Sequence, residues 1–283
     1  MRHKSITPLS FFLILVVLIG VFAIVSKAEK PNANGEKKRV FALPDKAVRV
    51  EDNLYYLGKA KDKDGKEVEG YAIIHYKDEK AKGGGSTRNK STQCYGFLAD
   101  GAKWKAVEPW VVNPLNSRGL LDSFIFDNVT SDIAKWEDAA DGTVGNGGGI
   151  DILGNGVVTQ DVLVADTVSP DNVNEVYFAD VTDSNAIAVT IVWGIFSGPP
   201  FQRSLVEWDQ VYDDVDYDWS SSGEVAKMDF ENIATHELGH SVGMKDLYTT
   251  SCSQETMYGY ASNGETIKRD LNAGDVKGIN SLY

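Results

Sequence analysis

His236, Glu237 and His240 stand as His-Glu-x-x-His, with Gly243 and Asp246 following, in a chain that has only 4 histidines. Two histidines four residues apart on a helix point within about 40° of each other, so both imidazoles can reach one ion. Imidazole nitrogen suits zinc (Zn2+). Glu237, turned by about 100°, cannot share that ligand position; it can instead take a proton from a water at the metal and pass it to a leaving group. A catalytic zinc site needs three protein ligands and one open position. Asp246 is the expected third, because Gly243 lets the chain leave the helix through a left-handed conformation and turn back toward the metal. His3 lies in the basic start of an N-terminal export-like segment. His75 lies in an expected strand and reads as a packed or surface residue, not as a ligand.

These residues need a helix over 230–242 and a scaffold to carry it. Apolar residues Phe126, Val129, Ile133, Trp136 and Ala140 recur at helical spacing, which predicts an amphipathic helix over 120–140. A further helix is expected over 273–283. Strands are expected at 104–112, 162–165, 176–181, 187–195 and 205–217, and the Gly- and Asn-rich stretch 142–156 reads as loop. Helices interleaved with strands make this an α+β unit, placed at 93–283. Before it, residues 53–57 and 71–76 are strand-like about a turn at Asp62-Lys63-Asp64-Gly65, so 29–92 reads as a linker and a small β-rich hairpin module, with a flexible connection around Gly83-Gly84-Gly85-Ser86.

Residues 1–28 combine a basic start, an apolar run over 11–25 and the small residues Ser26 and Ala28, the marks of an export signal. A cleaved signal peptide and a retained membrane anchor both fit, and either puts the rest of the chain outside the cytoplasm. In that compartment Cys94 and Cys252 are expected to pair, although a cysteine thiolate could also cap zinc. Asn89-Lys90-Ser91 and Asn128-Val129-Thr130 match the glycosylation pattern. The net charge of -13 argues against nucleic acid as a partner. Glu207, Asp209, Asp213, Asp214, Asp216 and Asp218 occur with no intervening Lys or Arg and suit either calcium (Ca2+) or a solvated acidic surface.

From about residue 233 onward the sequence resembles the metzincin zinc metallopeptidases, and within them the matrixins. The family motif is His-Glu-x-x-His-x-x-Gly-x-x-His/Asp followed by a turn containing methionine. Here the turn is Thr256-Met257-Tyr258-Gly259-Tyr260, and residues 271–283 look like the terminal matrixin helix. The resemblance implies a twisted, mostly parallel sheet with an active-site helix, Met257 as a floor under the metal, and an edge strand that binds extended peptide by strand addition. Residues 189–195 are the candidate edge, with Tyr258 and Tyr260 either near a side-chain pocket or packed beneath the metal. It also implies a monomeric endopeptidase acting on protein or peptide substrates, with His236, His240 and Asp246 on one zinc and Glu237 catalytic. Three features depart from the pattern. The third ligand is Asp where His is commoner, whose negative charge weakens zinc as a Lewis acid. No histidines remain for a second zinc. The cysteine motif that caps zinc in matrixin pro-segments is missing. The rival function is a non-catalytic extracellular binding module that keeps zinc for stability, against which Glu237 argues, since a structural site has no use for that carboxylate.

Overall fold

Alternation and propensity place most elements where the sequence suggests, in a computed structural model that describes residues 39–77 and 93–283. The export-like segment, residues 29–38, the Gly83–Ser86 stretch and Asn89 lie outside the described residues. Among the described residues no helix is long and apolar enough to cross a membrane. The strands are β1 (Val40–Phe41), β2 (Val48–Arg49), β3 (Leu54–Lys61), β4 (Glu67–Lys77), β5 (Glu108–Asn113), β6 (Leu153–Val158), β7 (Asn174–Val181), β8 (Ala186–Ile195), β9 (Ser204–Asp213), β10 (Trp219–Ser220), β11 (Met228–Asp229) and β12 (Tyr260–Ala261). The helices are α1 (Asp122–Ala139), α2 (Phe230–Ser241) and α3 (Ala273–Leu282).

One mixed sheet runs in the order β2-β3-β4-β8-β9-β7-β5-β6, with β1 added to β7 and β12 to β4. Strands β5, β6, β7 and β9 are parallel, whereas β8 is antiparallel to β9 and to β4. This is an α+β architecture, a twisted mixed sheet with few helices and a helix at the end. Helices α1 and α2 cover one face, where Trp110, Trp136, Trp208, Phe178, Phe230 and Leu238 are buried together. Leu57, Tyr177, Ile191, Trp193 and Val211 fill the other face, under Phe41, Leu163 and Ala165.

Two strand expectations change. Residues 153–156, the end of the stretch read as loop, belong to β6, because Gly156 lets the strand lie against Trp110; a Cβ there would sit 2.2 Å from the indole ring. Residues 162–165 do alternate, with Leu163 and Ala165 buried, but they join no ladder. Their amides go to side chains instead, Val164 N to Glu175 Oε2 (3.0 Å) and Ala165 N to the Tyr177 hydroxyl (2.9 Å).

The third change bears on function. Strand β8, the expected free edge, is interior: β4 pairs with it from Glu69↔Gly194 to Tyr76↔Ala186. The β3–β4 hairpin therefore shares one sheet with the strands of residues 93–283. Burial on both faces had marked β8 correctly, but nothing local to it told which strand would cover it.

Candidate metal centre

Helix α2 begins at Asp229, whose carboxylate accepts from Asn232 N (3.1 Å) and is gripped by Arg269 through Nε (2.7 Å) and Nη2 (2.6 Å). The Trp136 indole donates to Thr235 O at 2.8 Å, which ties α1 to α2 one residue before His236. The helix stops at Ser241, and Gly243 takes φ +102°. A Cβ at Gly243 would also meet Ala102 O at 2.8 Å, so both conformation and space require glycine here.

That exit does what the spacing implied. His236, His240 and Asp246 converge, with Asp246 Oδ1 3.1 Å from His236 Nε2 and 3.5 Å from His240 Nε2. Tetrahedral ligands about 2.0–2.1 Å from zinc lie about 3.3 Å apart, so these separations fit. The other ring nitrogens are already committed: His236 Nδ1 faces Thr256 O (2.7 Å) and His240 Nδ1 faces Met244 O (3.0 Å). Each Nδ1 must carry the proton to donate to a carbonyl, which leaves each Nε2 with a free lone pair. His236 Nε2, His240 Nε2 and Asp246 Oδ1 are buried with no hydrogen-bond partner among the described residues. Three orphaned donors aimed at one point are what a divalent cation would satisfy.

Electrostatics agree. Burial holds His236 down at about 4. Burial would lower His240 too, but the Asp246 carboxylate outweighs it and pushes His240 up to about 9. For Asp246 itself the attraction of the two imidazoles overcomes burial and keeps the carboxyl well below its usual range.

Met257 is buried under α2, where a Cβ on Gly239 would lie 2.1 Å from its sulfur, so it forms the expected floor and Gly239 is the close-approach point. Asp275, at the start of α3, holds this turn by accepting from Thr256 N (2.7 Å) and Met257 N (3.1 Å). Tyr258 and Tyr260 are half-buried and form an edge-to-face cluster with Tyr248, whose hydroxyl donates to Asp246 Oδ2 at 3.3 Å. Cys94 and Cys252 are bonded to each other, so neither caps the site. Asn128 is buried in α1 and is not available as a glycosylation acceptor.

Sequence reasoning missed three residues. His75, read as an ordinary strand residue, is fully buried in the centre: its Nδ1 lies 2.9 Å from Glu237 Oε1 and its ring 4.0 Å from that of His236. Thr190 of β8 donates to Glu237 Oε2 at 2.5 Å. Asn53, before β3, donates through Nδ2 to Asp246 Oδ2. A signal for His75 was present, since strand alternation puts it on the same face as Tyr71 and Ile73, both of which pack in the helix-side core.

The matrixin family model matches residues 202–283, from just before β9 to the end of α3. Over that stretch the chain is similar to the matrixin metallopeptidases, a class that implies zinc. No curated protein matches the chain.

Proposed function

We propose that the chain is an extracellular zinc endopeptidase that hydrolyses peptide bonds, with His236, His240 and Asp246 holding one zinc and Glu237 moving the proton. The observation that carries this is the set of three orphaned, buried ligand atoms beside a carboxylate one helical position away. Zinc held there would supply Lewis-acid polarisation of water and of the scissile carbonyl. Glu237 supplies the base. Burial raises its pKa above the ordinary carboxylate value, which suits a group that first accepts a proton and later returns it to the leaving amine. The Cys94–Cys252 bridge supports the extracellular placement, because such bonds persist in oxidising compartments. Partners are protein or peptide substrates met by a monomer, not nucleic acid, whose phosphates the net charge of -13 would repel. Metal analysis should find one zinc per chain, lost in His236→Ala, and casein turnover should stop with a chelator and return with zinc. Full turnover in metal-free chain would overturn the proposal.

Calcium is proposed as a second, structural cation. The acidic residues of 207–218 do not act as one loop, because β9 turns alternate side chains apart and its end turns others outward. Asp213 is satisfied by the amides of Val181 (3.0 Å) and Val215 (2.9 Å), Asp214 by Ser117 N (2.8 Å), and Asp218 by Arg118 (2.9 Å). Glu207 instead meets Asp166 and Asp171, with ligand oxygens all within 4.8 Å of one another, and Asp209 accepts from Asp166 N at 2.8 Å. Glu207 Oε1, Asp209 Oδ1 and Asp166 Oδ2 are buried without a hydrogen-bond partner among the described residues. Burial, then the charge of Asp166, pushes Glu207 up to about 9; burial and Glu207 raise Asp209.

A raised folded-state carboxyl binds more protons than the unfolded one, so stability falls as pH rises from the unfolded value of about 4.3 toward about 9. Added calcium should therefore raise the unfolding midpoint more at pH values near the top of that window than near the bottom. Glu207→Gln should remove both the pH slope and the calcium gain. An unchanged midpoint with calcium at the alkaline end would rule the site out.

A further inference from the structure

Thr190 belongs to β8 and points to the helix side of the sheet, since its neighbours on that face, Ala188 and Val192, pack in one core with Trp208 and Leu238. A hydroxyl buried among such residues is costly unless it finds a partner. Thr190 is fully buried, and its Oγ1 donates to Glu237 Oε2 at 2.5 Å. Across the ladder Thr190 pairs directly with Gln210 of β9. Gln210 is fully buried too and reaches the same helix. Its Nε2 donates to Ser241 Oγ (3.0 Å), while its Oε1 accepts from the Tyr212 hydroxyl (2.7 Å). Ser241 Oγ in turn donates to Glu237 O at 3.4 Å, and Ser241 O accepts from the Trp104 indole at 2.7 Å.

One register level of the sheet therefore touches Glu237 twice. From β8 it holds the carboxylate, and from β9, through Ser241, it holds the backbone carbonyl one helical turn before Ser241. Apolar side chains of similar volume would pack α2 onto the sheet equally well. What the polar atoms add is direction, because a satisfied buried network specifies one arrangement.

A glutamate side chain has several rotatable bonds, and a carboxylate that serves as a base must present an oxygen to its water in nearly one orientation. Threonine suits the task of holding it, since a β-branched side chain is stiff at χ1 and offers its hydroxyl in one place. With Oε2 held by Thr190, Oε1 is turned the other way, to His75 Nδ1 at 2.9 Å. A carboxylate oxygen of Glu237 also lies within 4.8 Å of a ring nitrogen of His236. Each carboxylate oxygen accepts more than one hydrogen bond, so the hold does not use up the capacity to take a proton.

The geometry points to Thr190 as a positioning residue for the base: its hydroxyl fixes the Glu237 carboxylate, while Gln210 and Ser241 fix the helical turn that carries it. This role rests on the zinc peptidase reading and deepens it. A buried hydroxyl on a strand and a glutamate on a helix are thereby parts of one device.

The test is a variant series in the full chain, read as kcat and KM on one peptide at equal zinc content. Thr190→Val keeps the volume and removes the hydroxyl, so kcat should fall about 10–100-fold with KM unchanged. Thr190→Ser keeps the hydroxyl and removes the methyl, and should hold kcat within about threefold of wild type. A packing role predicts the reverse order, since Thr190→Ser would leave a void and Thr190→Val would not. On a Glu237→Gln background Thr190→Val should bring no further loss, because the hydroxyl acts through the carboxylate. If Thr190→Val folds poorly, Thr190→Ala against Thr190→Ser isolates the same hydroxyl. Thr190→Val as fast as wild type, Thr190→Ser slower than Thr190→Val, or an equal loss on both backgrounds would overturn the role while leaving the peptidase reading intact. No zinc-dependent turnover in the wild type would sink that reading and this role with it.

Discussion

Glu237→Gln is expected to lower kcat by about 10²–10⁴-fold while leaving metal content, far-UV circular dichroism and KM close to wild type. The amide is nearly isosteric and can still meet Thr190 and His75, which now hold the two carboxylate oxygens at 2.5 and 2.9 Å, so packing is little disturbed. What it loses is the ability to accept a proton. The three metal-facing atoms belong to other residues, so metal uptake should persist, which separates loss of chemistry from loss of the site. Turnover should be compared in the wild type and the variant at equal metal content. Unchanged turnover would place the proton transfer elsewhere. It would also favour a site kept for stability.

The metal constellation was legible because helical spacing is rigid. His236 and His240 share a direction through backbone geometry alone, and Gly243 supplies the only cheap exit that returns Asp246 to them. Helix α1 was legible for the same reason, its buried Ile125, Val129, Ile133 and Trp136 tracing one stripe. What escaped were contacts that depend on which strand lies beside which. His75 and Glu237 are 162 residues apart in sequence, and only the β4–β8 register brings them together. Strand β6 escaped because its glycines, ordinarily loop markers, answer to Trp110 across the ladder. The grouping within the acidic run was not legible because period-two alternation separates Glu207 and Asp209 from Trp208 and Gln210, and their partners Asp166 and Asp171 lie in a loop far upstream. Local periodicity reaches a helix face or a strand face, but it does not reach a neighbour.

Removing the disulfide by Cys94→Ser with Cys252→Ser is expected to cost about 5 kcal/mol, the chain-entropy value for a separation of 158 residues. For a folded unit of this size that is a fall of about 10–20 °C in Tm. Local effects should exceed the global one near the metal. Cys252 is buried in the segment that runs from Asp246 to Met257, and the carbonyl of Thr256 in that segment orients His236 at 2.7 Å. The Cys94 carbonyl also abuts Gly274 of α3, where a Cβ would come within 2.1 Å, so the bridge fastens the start of the 93–283 unit, the ligand-bearing segment and the last helix at one point. Freed from that clip, residues 247–256 gain conformational freedom that must be given up again when the metal binds. Zinc affinity in the double variant should thus fall even at temperatures where the chain remains folded. Denaturant titration gives the global term and competition with a zinc chelator the local one; an unchanged unfolding midpoint would refute the first, and an unchanged zinc Kd the second.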